Sequence, residues 1–429
     1  MTAALDAAEE GLEVTLLEAR RQLGGATRSF SRDGCWYDNG HHVVLGCCTS
    51  YLQLLSRLGV RDQIRLRPLD LTVATPDGRM ARIAASRMPR PVHLLPSLLR
   101  YSHLPFRQRL RSLRVLAALA RVDPSGSPSE DLALGAWLSE RGVGERAVED
   151  FWNVFVVGML NAKPDDVSLQ LAAMAIRTAL GGARSGSDFG WSDVPLVALH
   201  GDPGAAALHS AGVDVQLGVD ARGISQEGST RIAVATGAGT LFAKTVVVAV
   251  PHHRVARLLP MPRASALLSS PIVNVAIRFD RRVMGETYLA AVRSPVQWVF
   301  DRTESSGATR GQVLVVSNSA ATDDLRRPRD ELVRRTVEGL RCLLPRARFA
   351  TISDVVVTRE PHATFLGAPG SRSSRAATPT TTPGVFIAGA WTDTGWPATM
   401  EGAVRSGSRA ALQARSYLEG CPILLGAPR

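Results

Sequence analysis

The stretch "LEVTLLE" (Leu12–Glu18) constrains the fold more than any other part of the sequence. It alternates as a half-buried strand does, and it ends on an acid, Glu18. An alanine-rich helix over residues 2–10 precedes it, with Gly11 where a left-handed C-terminal residue belongs. A helix feeding a strand that ends on a carboxylate is the second half of a βαβ unit, the repeat from which parallel sheets are built. The strand and glycine loop that open such a unit are not in the sequence ahead of this helix; Met1 falls inside it. "GVGERA" (Gly142–Ala147) has a loose version of the loop spacing. It follows a helix, and so reads as a helix–helix connection.

Downstream, "TSYLQLLSRLGV" reads as a capped amphipathic helix, and "LDLTVATP" and "GRMARIAA" as two strands joined at Pro76-Asp77-Gly78. Between about residues 89 and 193 the pattern is helical, with "VDPSGSPSEDL" (Val122–Leu132) as an internal linker. Strands return in "VDVQLGVDARGI", "TVVVAVP" and "VNVAIRFD", and the helix "DELVRRTVEGLRCLL" precedes a final strand–loop–helix. The expected class is α/β: a Rossmann-like domain assembled from segments 1–75, 201–260 and 371–429. A helical lobe (76–200) and a substrate-domain sheet (261–370) interrupt it.

The net charge of +11 comes from 50 basic and 39 acidic residues, and lysine occurs only at Lys163 and Lys244. A basic surface favours anionic partners. Without a zinc-finger or recognition-helix pattern, and with 5% aromatics, a membrane surface fits better than nucleic acid. No apolar run reaches the roughly 18–20 residues that span a bilayer, and there is no signal-peptide pattern. Five cysteines, Cys47 and Cys48 adjacent, give neither a metal spacing nor an even disulfide framework, so the expected location is cytoplasmic.

"LLEARRQLGGATRSF" and "GVFIAGAWTDTGWPATMEGAVRSGSRAA", nearly four hundred residues apart, together resemble the flavoprotein superfamily of amine oxidases, protoporphyrinogen oxidases and carotenoid desaturases. The resemblance implies FAD. Glu18 would hold ribose hydroxyls, Arg20 would offer charge to a phosphate, and Gly24-Gly25 would let the backbone pass the diphosphate. Gly389 and Ala390 would lie near the ribityl chain. The helix from about Thr399-Met400 would aim its amides at the flavin's N1/C2 edge. In relatives, strands matching "VDVQLGVDARGI" and "TVVVAVPHHRV" pass the cofactor, here around Ala221 and Pro251. Amine oxidases commonly place Arg directly after the glycine pair; this chain has Ala26, with Arg28 two residues on. Relatives usually close on Gly-Asp-Trp, where this chain has Gly389-Ala390-Trp391; Asp393 is the candidate substitute acid. A chain lacking the opening strand and loop is expected to hold FAD poorly, and in-frame upstream residues would restore binding.

Within the superfamily, "DGCWYDNGHHVVLG" and "FWNVFVVGMLNAKPDDVSLQLAAMAIRTAL" resemble the squalene-associated FAD-dependent desaturases, the hydroxysqualene dehydroxylases of hopanoid synthesis. That implies a hydrophobic isoprenoid substrate, a hydroxyl lost as water, and hydride supplied by reduced flavin. Phe151, Trp152, Phe155, Met159 and Trp396 would line the substrate, although the first four also fit ordinary core positions. Asp38, His41 and His42 are the proton-donor candidates, since histidine titrates near neutrality; a plain Asp-Asn-Gly turn is the alternative. "RYSHLPFRQRLRSLRVLAALAR" interleaves Arg107, Arg109, Arg111 and Arg114 with Leu104, Phe106, Leu110, Leu113 and Leu116. It is either a foot in the headgroup layer at the inner face of the cell membrane or a solvated helix. Other readings are a carotenoid-type desaturase running hydride toward oxidised flavin, a non-catalytic lipid- or partner-binding protein, and last a nucleic-acid protein.

Overall fold

A computed structural model describes residues 1–89, 92–123, 131–181, 186–228, 231–376 and 380–420. Most of the 122–132 linker lies outside the described residues. The strand expected over Leu12–Glu18 forms at Thr15–Glu18 and pairs in parallel with Asp214–Leu217, in register Glu18 to Leu217. A second parallel pair joins Val246–Val248 to the closing strand Val385–Ile387. Among the described residues no strand bridges the two pairs, so the Rossmann-like layer is two parallel ribbons rather than one sheet. The helices Thr2–Glu9 and Met400–Leu418 pack together beside them. They touch at Gly407, where a Cβ would lie 3.0 Å from Thr2 Cβ. The Gly in "VRSGSRAA" is thus a contact point between the two ends of the chain.

The largest sheet has seven strands, in spatial order Ile352–Phe365, Ser269–Phe279, Gln312–Ser319, Trp298–Asp301, Tyr288–Ala291, Asp70–Ala74 and Met80–Ala84. Its central strands are buried almost continuously because both faces are covered. One face sets Tyr288, Ala290 and Phe300 against the helical lobe. The other sets Val275, Leu289, Val299 and Leu314 against Leu332 and Leu340 of the helix Arg329–Leu343. The 70–84 hairpin belongs to this sheet, pairing in parallel with Tyr288–Ala291. A segment boundary at 75 therefore cuts through a hairpin, because the strand at 70–74 finds its partner more than two hundred residues away.

The lobe contains the helices Phe106–Leu119, Leu134–Glu140, Asn153–Leu160 and Leu169–Gly181. The "RAVEDFWNVFVV" helix is interrupted by a π-turn at Val148–Trp152 and ends at Asn161 in the left-handed region (φ 49°). In Phe106–Leu119 the side chains of Phe106, Arg107, Arg111 and Arg114 are exposed. Arg109 departs from the expected basic face: its guanidinium turns inward and donates to the carbonyls of Leu104 (2.7 Å) and Leu99 (2.9 Å). Among the described residues, no helix is long and apolar enough to cross a membrane.

Candidate active site

The strand ending at Glu18 delivers its acid to a tight turn. Glu18 Oε1 accepts from the Arg20 amide at 2.9 Å, and the exposed Arg20 guanidinium donates to the Gly25 carbonyl at 3.0 Å. Gly24 has φ +120°, and a Cβ there would lie 2.5 Å from the Thr27 carbonyl oxygen. No side chain but hydrogen satisfies both demands. Beside it, Gly25 faces open space. Arg28 donates to Glu360 at 2.7 Å, and Asn39 reaches the same carboxylate oxygen at 3.1 Å. Arg28 Nε is buried without a partner.

At the other end of the chain, the Gly389 amide donates to Ser406 Oγ at 2.7 Å, tying the end of the closing strand to the final helix. Thr399 caps that helix by accepting from the Gly402 amide at 3.1 Å. Half-buried Met400 is its first residue, and Ala390 is likewise half-buried in the loop. The Trp391 indole donates to Val250 O (2.9 Å), next to Pro251, so the closing loop and the end of the 246–248 strand are bonded directly. Arg375, buried, donates to the carbonyls of Trp391, Thr392 and Trp396 and so holds the loop from beneath. The Trp396 ring is covered by the Arg405 guanidinium at 4.7 Å. Asp393 pairs with Arg372 at 3.3 Å. Ala221 opens the strand Ala221–Glu227, at an irregularity in register.

The "DNGHH" segment leaves the hairpin Ser29–Arg32/Cys35–Asp38. The Asp38 carboxylate accepts from Ser29 Oγ (2.6 Å), the Leu196 amide (3.0 Å) and Arg302 Nη2 (3.1 Å). It is an acceptor on every side, a posture that suits anchoring rather than proton donation. The His41 ring stacks on Phe300 at 3.6 Å, and its buried Nε2 has no hydrogen-bond partner among the described residues. His41 lines a small open cleft with Trp36, Asp38, Asn274 and Arg302. Burial pushes the His41 pKa well down, and the Arg302 and His42 charges push it further. His42 is lowered as well, mainly by burial, partly offset by its Nδ1–H bond to Gly40 O at 3.0 Å. Both rings are therefore neutral at pH 7.

Phe151 and Trp152 are buried among Tyr101, Trp137 and Leu138, which makes them core. Phe155 and Met159 are half-buried at its edge. Sequence reasoning missed an aromatic wall in which Phe189 stacks on Trp298 (6.0 Å), Trp298 on Phe300 (5.8 Å), and Phe300 on His41. It also missed Glu401, whose wholly buried carboxylate accepts from the Ser50 and Tyr51 amides at 3.2 and 2.7 Å. Apart from Trp298 and Phe300, which share one face of a single strand, these contacts join residues from about 100 to 350 positions apart, and no local pattern carries them.

The donor set fits a flat, anionic dinucleotide. A strand-end carboxylate, an open glycine turn, an unpartnered Arg28 Nε and a capped helix N-terminus come from the two ends of the chain. The model of the flavin containing amine oxidoreductase family matches residues 1–414. Hydroxysqualene dehydroxylase of Sinorhizobium fredii is 28% identical, over 96% of this chain and 94% of that protein. The 15-cis-phytoene desaturase of Glycine max is 24% identical, over 94% and 75% respectively. Among solved structures, putrescine oxidase bound to putrescine superposes with a TM-score of 0.74 at 18% identity, covering 97% of this chain and 96% of that one. Cyclohexylamine oxidase of Brevibacterium oxydans gives 0.72 at 20%, covering 97% of each chain. The glycine turn, the capped closing helix and the whole-length family match converge: this chain belongs to the flavin containing amine oxidoreductase family, and its cofactor is FAD.

Proposed function

We propose that the chain is an FAD-dependent oxidoreductase of squalene-type isoprenoids that reductively dehydroxylates hydroxysqualene to squalene. The observation that carries this reading is the near end-to-end match to a hydroxysqualene dehydroxylase, 96% of one chain on 94% of the other. The chloroplast phytoene desaturases are matched over only about three quarters of their length.

When bound, reduced FAD supplies hydride to the cation left by the departing hydroxyl. The protein's part is to keep the site dry and to deliver a proton. Glu18, Arg20, Gly24, Gly25, Arg28, Ala221, Pro251, Gly389, Ala390, Thr399 and Met400 are the residues proposed to hold the cofactor. The aromatic wall on Phe300 and the edge residues Phe155, Met159 and Trp396 provide apolar surface and π-faces against which a delocalised cation is stabilised. Neutral His41, with Nε2 free, can take up a proton and pass it on; Asp38 and Arg302 fix the segment that carries it. Exposed Phe106, Arg107, Arg111 and Arg114 form the face proposed to meet anionic lipid.

Anaerobic incubation of flavin-loaded, dithionite-reduced protein with hydroxysqualene should yield squalene by mass spectrometry. Recovery of unchanged hydroxysqualene, together with desaturation of phytoene by the oxidised protein, would replace this reading with the desaturase one. That second reading is favoured by a 22% match over 94% of this chain and 91% of a Synechococcus elongatus phytoene desaturase.

A further inference from the structure

Buried polar groups from three separate stretches form one unbroken chain. Thr27 Oγ1 donates to the Gly24 carbonyl at 2.7 Å and meets His200 Nδ1 at 2.9 Å. His200 Nε2 meets the Tyr51 hydroxyl at 2.7 Å. The direction of every bond follows from counting protons. The Thr27 hydroxyl has one, and it goes to Gly24; His200 Nδ1 must therefore be the donor to Thr27. Nε2 is then the acceptor, and Tyr51 gives its proton to it. The assigned order is Tyr51 to His200 to Thr27 to Gly24, with each hydrogen used once. Thr27, Tyr51 and His200 are all buried, and burial lowers His200 to about 4, which keeps the ring neutral at pH 7.

The chain also closes sterically on the glycine. The Thr27 amide bonds back to Gly24 O at 3.0 Å, and a Cβ on Gly24 would sit 3.7 Å from His200 Cβ. From its far end the network continues through the Tyr51 backbone, whose amide is held by Glu401 of the closing helix at 2.7 Å. One histidine on the short helix Leu196–His200 thus joins the first glycine turn to the residue that anchors the helix at the other end of the protein.

We propose that His200 is a positioning residue for the flavin. It does not touch the reacting atoms. Through Thr27 it fixes the backbone of the Gly24-Gly25 turn, so that the turn is already shaped for the diphosphate before the cofactor arrives. This rests on the reading that places the diphosphate at that turn. Preorganisation of this kind lowers the ordering cost of binding and shows as affinity.

The test uses the full chain and two readouts: FAD affinity by quenching of flavin fluorescence, and hydrogen exchange of the peptide spanning residues 20–30 in the flavin-free protein. His200→Leu and Thr27→Val should each weaken FAD binding about three- to tenfold, the worth of one buried hydrogen bond. The double variant should be no worse than either single one, because both cut the same chain. His200→Asn, which keeps a donor toward Thr27, should recover most of the affinity, and Tyr51→Phe should give a milder loss if the Leu variant does not fold. Exchange in 20–30 should rise with each loss of affinity. Unchanged exchange and unchanged affinity overturn the positioning role while leaving the diphosphate reading intact. Faster exchange with unchanged affinity overturns the placement on which the proposal rests.

Discussion

Replacing Asp38 separates an anchoring role from a catalytic one. Its carboxylate and the Arg302 guanidinium are about one-tenth exposed, 11% and 8% respectively, and lie 3.1 Å apart. Arg302 also donates to the carbonyls of Ser192 and Val194, so its nitrogens are placed by backbone, but among the described residues only Asp38 offsets its charge at bonding distance. Breaking one side of a buried pair costs about 3–5 kcal/mol because the remaining charge stays buried. Asp38→Asn keeps an oxygen for Ser29 Oγ and the Leu196 amide and fails only toward Arg302, which places it near the lower end, about 3 kcal/mol. Asp38→Ala also strands those two donors, at about 1 kcal/mol each, for a total of about 5 kcal/mol. Asp38→Asn combined with Arg302→Met removes both charges, so the double variant should be more stable than the sum of the singles by about 2 kcal/mol. Urea unfolding followed by tryptophan fluorescence and by far-UV circular dichroism measures this, provided the two transitions coincide. An Asp38→Asn variant within about 1 kcal/mol of the parent, or strict additivity in the double, would refute the anchoring argument.

Three further outcomes are expected. The depressed His200 pKa, about 4 against 6.5 in the unfolded chain, makes stability constant above pH 6.5 and falling as the pH drops toward 4, because only the unfolded chain takes up the proton there. His41 and His42 act in the same direction; His200→Asn should flatten the melting temperature between pH 7 and 5, and an equally steep profile would contradict it. Glu401→Ala should cost about 1–2 kcal/mol through loss of the cap on the helix Thr49–Arg57, and more through loss of the 2.6 Å ion pair with Arg405, with faster amide exchange in the first turn of the capped helix; unchanged exchange there would argue against the cap. Charge reversal at Arg107, Arg111 and Arg114 together should abolish co-sedimentation with anionic liposomes while sparing the fold, since these three side chains are exposed and the change costs the lobe one surface hydrogen bond, from Arg111 to the Gly142 carbonyl, while Arg109 keeps its two; unaltered binding would reject the membrane-facing role.

What the sequence disclosed, and what it withheld, divides along the range of the interactions. The strand end at Glu18, the glycine at 11 and the hairpin at 70–84 are all set by residues within a few positions of one another, and each stands where the pattern put it; the helix start near Thr399, implied by resemblance, stands there too. The glycine pair was legible for the same reason: a positive φ and a turn are local demands. The division at 75 misplaced a hairpin because its partner strand lies at 288–291, and register between distant strands leaves no trace in a window. Arg109 shows a subtler limit. Its spacing matches Arg107, Arg111 and Arg114 well enough to be read as one basic face, yet helical geometry rotates it toward Leu99 and Leu104, whose free carbonyls take its protons. The same logic explains why His200, Tyr51 and Glu401 went unread. His200 and Tyr51 lie in no motif, Glu401 lies in the closing motif without a role that the motif discloses, and all three acquire their roles only when the two ends of the chain are brought together. A site assembled from distant segments is legible in sequence at the residues that shape backbone, and illegible at those that hold the backbone in place. The motif residues can be carried by resemblance between chains, whereas the network behind them has to be found in each.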